Sequence, residues 1–350
     1  MAIHLAACVT AFLICFIALP VIIKYFITKN LVDIPGRRKI HKKVTPSMGG
    51  IAIFMGFSVA VFIWLDYDFW NTSRFILAGL LVVFLLGVRD DLVPFQALHK
   101  LTGQIVAVII VLFSGIKIGS FYGLFGWNEI PDWLAFGLTG FVIILITNSF
   151  NLIDGLDGLA GSIGFVSLSS LGIWFYFAEQ PVFALFCFAM VGGILAFLVF
   201  NWEPSEVFMG DTGAMVIGML LALLVIQFMS VNASLPDFHP VKYQATIAPA
   251  ACFIIIPLTD TLRIIILRLM RGQSPFRPDK SHIHHAIMRL GTSHARTAMI
   301  LASVNLLFIL GSWLLRGQNE YVMISCIVGT ALFMSFVLDR LIVRKISTKA

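Results

Sequence analysis

Four short stretches of the chain gather carboxylates, amides and imidazoles beside glycines, a mixture suited to divalent-cation and phosphate chemistry. The first, Gly87-Val88-Arg89-Asp90-Asp91-Leu92, closes an apolar run with paired acids. Adjacent helical residues point about 100° apart, so both carboxylates meet one ion only where the helix frays. Otherwise one faces a site while the other orients it. A solvated helix end with Arg89 neutralising one acid is the plainer alternative.

The second stretch runs from Asn148 to Gly161 and sets Asn151, Asp154 and Asp157 three residues apart, on one face if the segment is helical. Gly155, Gly158 and Gly161 beside them let backbone approach a bulky ligand or let the helix break at the membrane surface. A calcium loop would need a twelve-residue frame ending in a bidentate Glu, which is absent. In the third stretch, Phe208-Met209-Gly210-Asp211-Thr212-Gly213, Asp211 reads either as a helix N-cap or as the carboxylate of a Mg²⁺-phosphate centre. The fourth holds Arg277, Lys280, His282, His284 and His285. Arginine offers a forked donor and imidazole a directional one, so these residues suit a diphosphate better than zinc, for which the loops supply no cysteine.

These residues sit among apolar runs. The 350 residues are 59% hydrophobic and 12% charged, with mean hydropathy +0.96, where a soluble domain carries roughly 25% charged residues. Eleven runs at about 3–26, 47–65, 74–88, 101–119, 133–150, 160–178, 182–200, 212–230, 243–267, 298–315 and 320–338 approach the roughly 20 residues that cross a bilayer. The expectation is an all-α, polytopic integral membrane fold of about eleven transmembrane helices in one domain, 1–350, with a large cytoplasmic loop at 263–297. The first run reads as a retained span, because basic residues follow it and none precede it. Five cysteines inside the runs read as packing residues.

Orientation follows from the basic residues, which flanking segments keep in the cytoplasm. With the first loop inside, all 24 Lys and Arg except Arg74, Lys117, Lys242 and Arg316 fall on the inner side. That puts the N-terminus outside, the C-terminus in the cytoplasm, and all four motifs on the cytoplasmic face. Acidic residues at that boundary are costly unless hydrated, paired or bound to a cation.

Together with Pro46-Ser47-Met48-Gly49-Gly50, these motifs resemble the polyprenyl-phosphate N-acetylhexosamine-1-phosphate transferases over nearly the whole chain. The His-Ile-His-His sequence, preceded by Ser-Pro-Phe and Arg-Pro-Asp-Lys, looks like the branch that passes N-acetylglucosamine 1-phosphate to undecaprenyl phosphate. The resemblance implies a multi-pass enzyme of the bacterial inner membrane using UDP-N-acetylglucosamine and Mg²⁺, with Mn²⁺ as a substitute. It implies metal ligands at Asp211 and Asn151, and Asp90, Asp91, Asp154, Asp157 and the three histidines in the catalytic centre. Phe208 would stack on uracil, Asp157 would recognise the nucleoside, and Arg277 and Lys280 would clamp the diphosphate. Expected partners are the two substrates and the bilayer, with a homodimer as the candidate assembly and no nucleic acid. The rival class is an ion-coupled transporter, for which Asp260 is the best-placed acid unless it braces Arg263 at i+3. Another UDP-N-acetylhexosamine is the rival substrate, and a membrane scaffold without nucleotide binding is the third option.

Overall fold

A computed structural model describes residues 1–29, 45–270, 272 and 282–347. Thirteen α-helices account for most of the described chain. The first four are α1 Ala2–Thr28, α2 Gly49–Trp64, α3 Trp70–Leu92 and α4 Ala97–Leu112. Then come α5 Asp132–Ile153, α6 Leu159–Phe177, α7 Pro181–Asn201 and α8 Gly210–Ser234. The last five are α9 Ile247–Cys252, α10 Ile255–Met270, α11 Ile283–Arg289, α12 His294–Leu314 and α13 Glu320–Ser347. Helices α1, α5, α6, α7, α8, α12 and α13 are long and apolar enough to cross a membrane. The chain is a polytopic membrane protein.

Each of the eleven apolar runs falls on a helix, with three departures from the sequence expectation. Helix α3 has 23 residues and outruns the short span at 74–88. Helix α4 stops at Leu112, where the chain turns through Ser114 and Gly115, so the run to residue 119 is not one helix. The ninth run divides into α9 and α10. Pro257 explains the break at Phe253 and Ile254: a proline donates no N–H to the carbonyl four residues back, and its ring crowds that carbonyl. The loop placed at 263–297 is also shorter, since α10 continues to Met270 and α12 begins at His294.

Helix α8 is the axis of the bundle, with 89% of its most apolar stretch buried, against 11% for α13 at the rim. Hydrocarbon offers little hydrophobic drive for helices to associate, so close van der Waals approach has to do that work. Small residues on α8 permit it. A Cβ built on Gly218 would lie 3.0 Å from Thr147 and Phe150 of α5, and one on Gly87 of α3 would lie 2.5 Å from the Thr212 Cα. Helix α2 comes closest: a Cβ on Gly50 would lie 2.1 Å from the Gly213 nitrogen. The same approach is pinned by backbone, as Gly49 and Gly50 donate to the carbonyls of Phe208 and Met209, each at 2.9 Å.

At the opposite end of the bundle, Glu320 at the start of α13 accepts the N–H groups of Thr246, Ile247 and Ala248 at 2.6, 3.1 and 2.6 Å. One carboxylate thus satisfies the orphan donors of α9 and ties the outermost helix to the interior.

Gly50→Ala should lower stability by about 1–3 kcal/mol, because its new methyl meets rigid backbone. Gly137→Ala, whose Cβ meets nothing within 4 Å, should stay within about 0.5 kcal/mol of wild type. Thermal melting of both variants in detergent checks the pair.

Candidate active site

The site grows from the first turn of α8. A helix N-terminus leaves four backbone N–H groups unpaired and carries partial positive charge. Here those donors face carboxylates from other helices. Asp91 accepts the Asp211 and Thr212 N–H groups at 2.8 and 3.0 Å and the Thr212 hydroxyl at 2.6 Å. Asp154 accepts from the Gly210 N–H. Gly210 has φ +73, and a Cβ there would lie 2.4 Å from the Ser47 carbonyl and 2.6 Å from Asp91 Oδ2. Only glycine fits that corner.

Asp211 therefore is not the N-cap of α8. It lies one position inside the helix, while Asp91 of α3 supplies the cap from across the bundle. Asp90 points elsewhere. It accepts the Phe95 N–H at 2.6 Å and pairs with the Lys100 ammonium at 2.9 Å. Lys100 also holds Asp211 at 2.8 Å, so one cation bridges the acid of α3 and the acid of α8. The paired acids thus divide as their angular separation requires.

The second motif is not one helical face. Helix α5 ends at Ile153, and Asp154 sits beyond it with φ −77 and ψ 55. Asn151 remains on the last turn. Burial, and then the carboxylates of Asp211, Asp91 and Asp157, push Asp154 up to about 8. Among the described residues, Lys100 is the cation paired with acids of this group, through Asp90 and Asp211. Asp157, 4% exposed, faces His294 at 3.3 Å. Asn201 fixes this turn by accepting the Gly158 N–H at 2.8 Å and donating to the Val207 carbonyl at 2.7 Å. Phe208 is half-buried just before α8, held by its N–H on the Pro46 carbonyl at 2.9 Å.

The histidines close the other side. His282 donates from Nδ1 to Asp260 Oδ2 at 2.8 Å, and its ring stacks on His284 with centroids 5.5 Å apart and planes at 8°. His285 follows at 4.3 Å from His284. A Cβ on Gly155 would lie 2.9 Å from His284 Nε2, which places this ring beside the turn carrying Asp154. Burial first, then the neighbouring His285, lowers His284 to about 4, so at pH 7 it is a neutral, directional partner. Asp260 does not brace Arg263, which pairs instead with Asp339 of α13 at 2.9 Å. Arg277 and Lys280 lie outside the described residues.

The structure thus brings Asp90, Asp91, Asp154 and Asp211 around one helix terminus, with Asn151, Asp157, Phe208 and the histidines on its borders. Sequence reasoning missed Lys100, which looked like a topology charge, and His294 and Asn201, whose partners are remote in sequence. Among the described residues no three His, Cys, Asp or Glu form a ready-made ion cage. Hard oxygen donors with unbalanced negative charge nevertheless fit a Mg²⁺ held by one or two carboxylates and completed by substrate phosphates. Asp211 and Asn151 are the candidate ligands, with Asp154 beside them.

Comparison with known proteins identifies the family. Residues 73–229, which carry three of the four motifs, match glycosyl transferase family 4. A protein of Escherichia coli strain K12 named undecaprenyl-phosphate alpha-N-acetylglucosaminyl 1-phosphate transferase is 32% identical over 289 residues, covering 81% of this chain and 76% of that one. A Yersinia pestis protein of the same name is 32% identical over 295 residues, covering 82% and 78%. A Bacillus subtilis strain 168 protein named "Probable undecaprenyl-phosphate N-acetylglucosaminyl 1-phosphate transferase" is 29% identical over 336 residues, covering 95% and 90%. The apolar helices and the family match together define a membrane-embedded transferase. The chain belongs to glycosyl transferase family 4, the family its motifs resemble.

The depressed His284 gives a signed pH test. Between about pH 6.5 and 4 the unfolded chain binds a proton that the folded imidazole refuses. Stability should therefore fall on acidification through that window. His284→Gln should lose less melting temperature between pH 7 and pH 5 than wild type does, as read by thermal melts in matched buffers.

Proposed function

We propose that the protein transfers N-acetylglucosamine 1-phosphate from UDP-N-acetylglucosamine to undecaprenyl phosphate, releasing UMP, on the cytoplasmic face of the bacterial inner membrane. The convergence of Asp90, Asp91, Asp154 and Asp211 on the α8 N-terminus carries this reading. The printed names of the relatives support the acceptor and the sugar. The basic residues around the same end of the bundle support the orientation.

In the proposed reaction an oxygen of the lipid phosphate attacks the β-phosphorus of the nucleotide sugar. The new P–O bond forms as the bond to the bridging oxygen breaks, and that oxygen leaves on UMP. The sugar's own C–O bond survives. Two anions must meet, so catalysis consists mainly of positioning and charge neutralisation. Mg²⁺, held by Asp211 and Asn151, would supply positive charge to the diphosphate. Lys100 holds Asp90 and Asp211 in fixed relation, which sets the acceptor-side acid against the donor-side acid.

Asp90 is committed to Lys100 and to the Phe95 N–H. It is better suited to orienting the acceptor than to removing a proton, because a phosphate monoester with second pKa near 6 is already mostly dianionic at pH 7. Phe208 would stack on uracil, and Asp157, oriented by His294, would read the nucleoside. Neutral His284, with His282, His285, Arg277 and Lys280, would hold the diphosphate from the opposite side.

Purified protein with Mg²⁺, undecaprenyl phosphate and a panel of UDP-sugars should release UMP, fastest with UDP-N-acetylglucosamine, and chelation should stop it. Asp211→Asn should lower kcat/KM at least about 100-fold, the scale for losing a preorganised electrostatic contact. A faster rate with another UDP-N-acetylhexosamine would reassign the sugar, and no UMP with any donor would refute the transferase.

A further inference from the structure

Asp260 is a carboxylate, 1% exposed, on the buried side of helix α10 with Ile256, Thr261 and Ile264. Burying a carboxylate is costly unless it is paired and hydrogen-bonded, so a buried acid calls for a specific account of its partners. Neither of its oxygens is idle. Oδ2 meets His282 Nδ1 at 2.8 Å, and Oδ1 accepts the Ile283 N–H at 2.7 Å. The first contact fixes an imidazole. The second satisfies an orphan donor at the first residue of α11 and so fixes the backbone carrying the histidines.

The contacts continue inward. His282 stacks on His284, and His284 Nε2 lies against Gly155, next to Asp154, which itself accepts from Gly210 of α8. Rigid contacts thus run from α10 to the terminus where the acids gather.

We propose that Asp260 is a positioning residue: it holds the His282–His284 stack over the 154–158 turn and commits His282 Nδ1, leaving Nε2 as the nitrogen for other partners. The proposal rests on the transferase reading above. A carboxylate can only accept, so it selects the Nδ1–H form of a neutral imidazole. An amide cannot do both jobs, having a single acceptor oxygen. In Asp260→Asn, either the Ile283 N–H faces an NH₂ group, or the amide donates to Nδ1 and moves the imidazole proton to Nε2.

Because the histidines border the donor side of the site, the effect should separate the two substrates. Asp260→Asn should raise KM for UDP-N-acetylglucosamine about 10–100-fold, the range seen when an outer partner of a functional histidine is lost. KM for undecaprenyl phosphate should stay within about twofold of wild type. In a His282→Ala background the same substitution should change donor KM little, since the ring it orients is gone.

Asp260→Glu keeps two acceptor oxygens, and so favours folding, while displacing the ring by one methylene; it should raise donor KM with a wild-type melting temperature. The inference falls if folded Asp260→Asn or Asp260→Glu keeps the wild-type donor KM, or if both substrate KM values rise equally. Wild-type UMP release in the same assay separates the two claims. An active wild type with unaffected variants removes the Asp260 inference alone, whereas a silent wild type removes the transferase reading and this inference with it.

Discussion

The arrangement depends on the charge balance at the N-terminus of α8. The unpaired N–H groups of that helix attract anions, and the chain itself supplies them: Asp91 and Asp154 accept from its first residues. Asp211 adds a third carboxylate in the same turn, and Lys100 answers only part of the total. Asp154 is pushed up first by burial and then by the carboxylates of Asp211, Asp91 and Asp157. On the proposed reaction, carboxylates gathered at this terminus need a cation to offset them before phosphate-bearing substrates can bind. A divalent ion is the proposed cation, although among the described residues no three His, Cys, Asp or Glu form a cage for it.

Such a balance works only if the helices cannot drift. Glycines allow backbone to touch backbone where α2, α3 and α5 meet α8, and the Gly49 and Gly50 hydrogen bonds lock the Pro46–Gly50 segment onto the residues preceding α8. Packing that stabilises the bundle in lipid is therefore the same packing that sets the acids in place. The histidines are held separately, through Asp260 of α10, and Lys345 of α13 adds a bond to the Leu290 carbonyl at the end of α11.

Much of this was legible in the residues. The long apolar runs gave the helices, and the acids at their ends marked the residues that the fold brings together. What local sequence could not provide was partnership across the chain. Asp90 and Asp91 are neighbours, yet one pairs with Lys100 and the other caps a helix 120 residues away. The even spacing of Asn151, Asp154 and Asp157 suggested a helical face, but α5 ends at Ile153, and the later residues follow turn geometry. Pro257 already carried the information that the ninth run must break; length and hydropathy outweighed it. Lys100 looked like one more basic flank, because nothing in its surroundings says that two distant carboxylates close on it.

The most direct measurement is the position of a Mn²⁺ ion, located by anomalous scattering in crystals grown with UDP-N-acetylglucosamine. A peak roughly 2–2.3 Å from an Asp211 carboxylate oxygen, shared with the nucleotide diphosphate, is the expected result. An ion bound away from the start of α8, or a nucleotide seated at the opposite end of the bundle, would contradict the account.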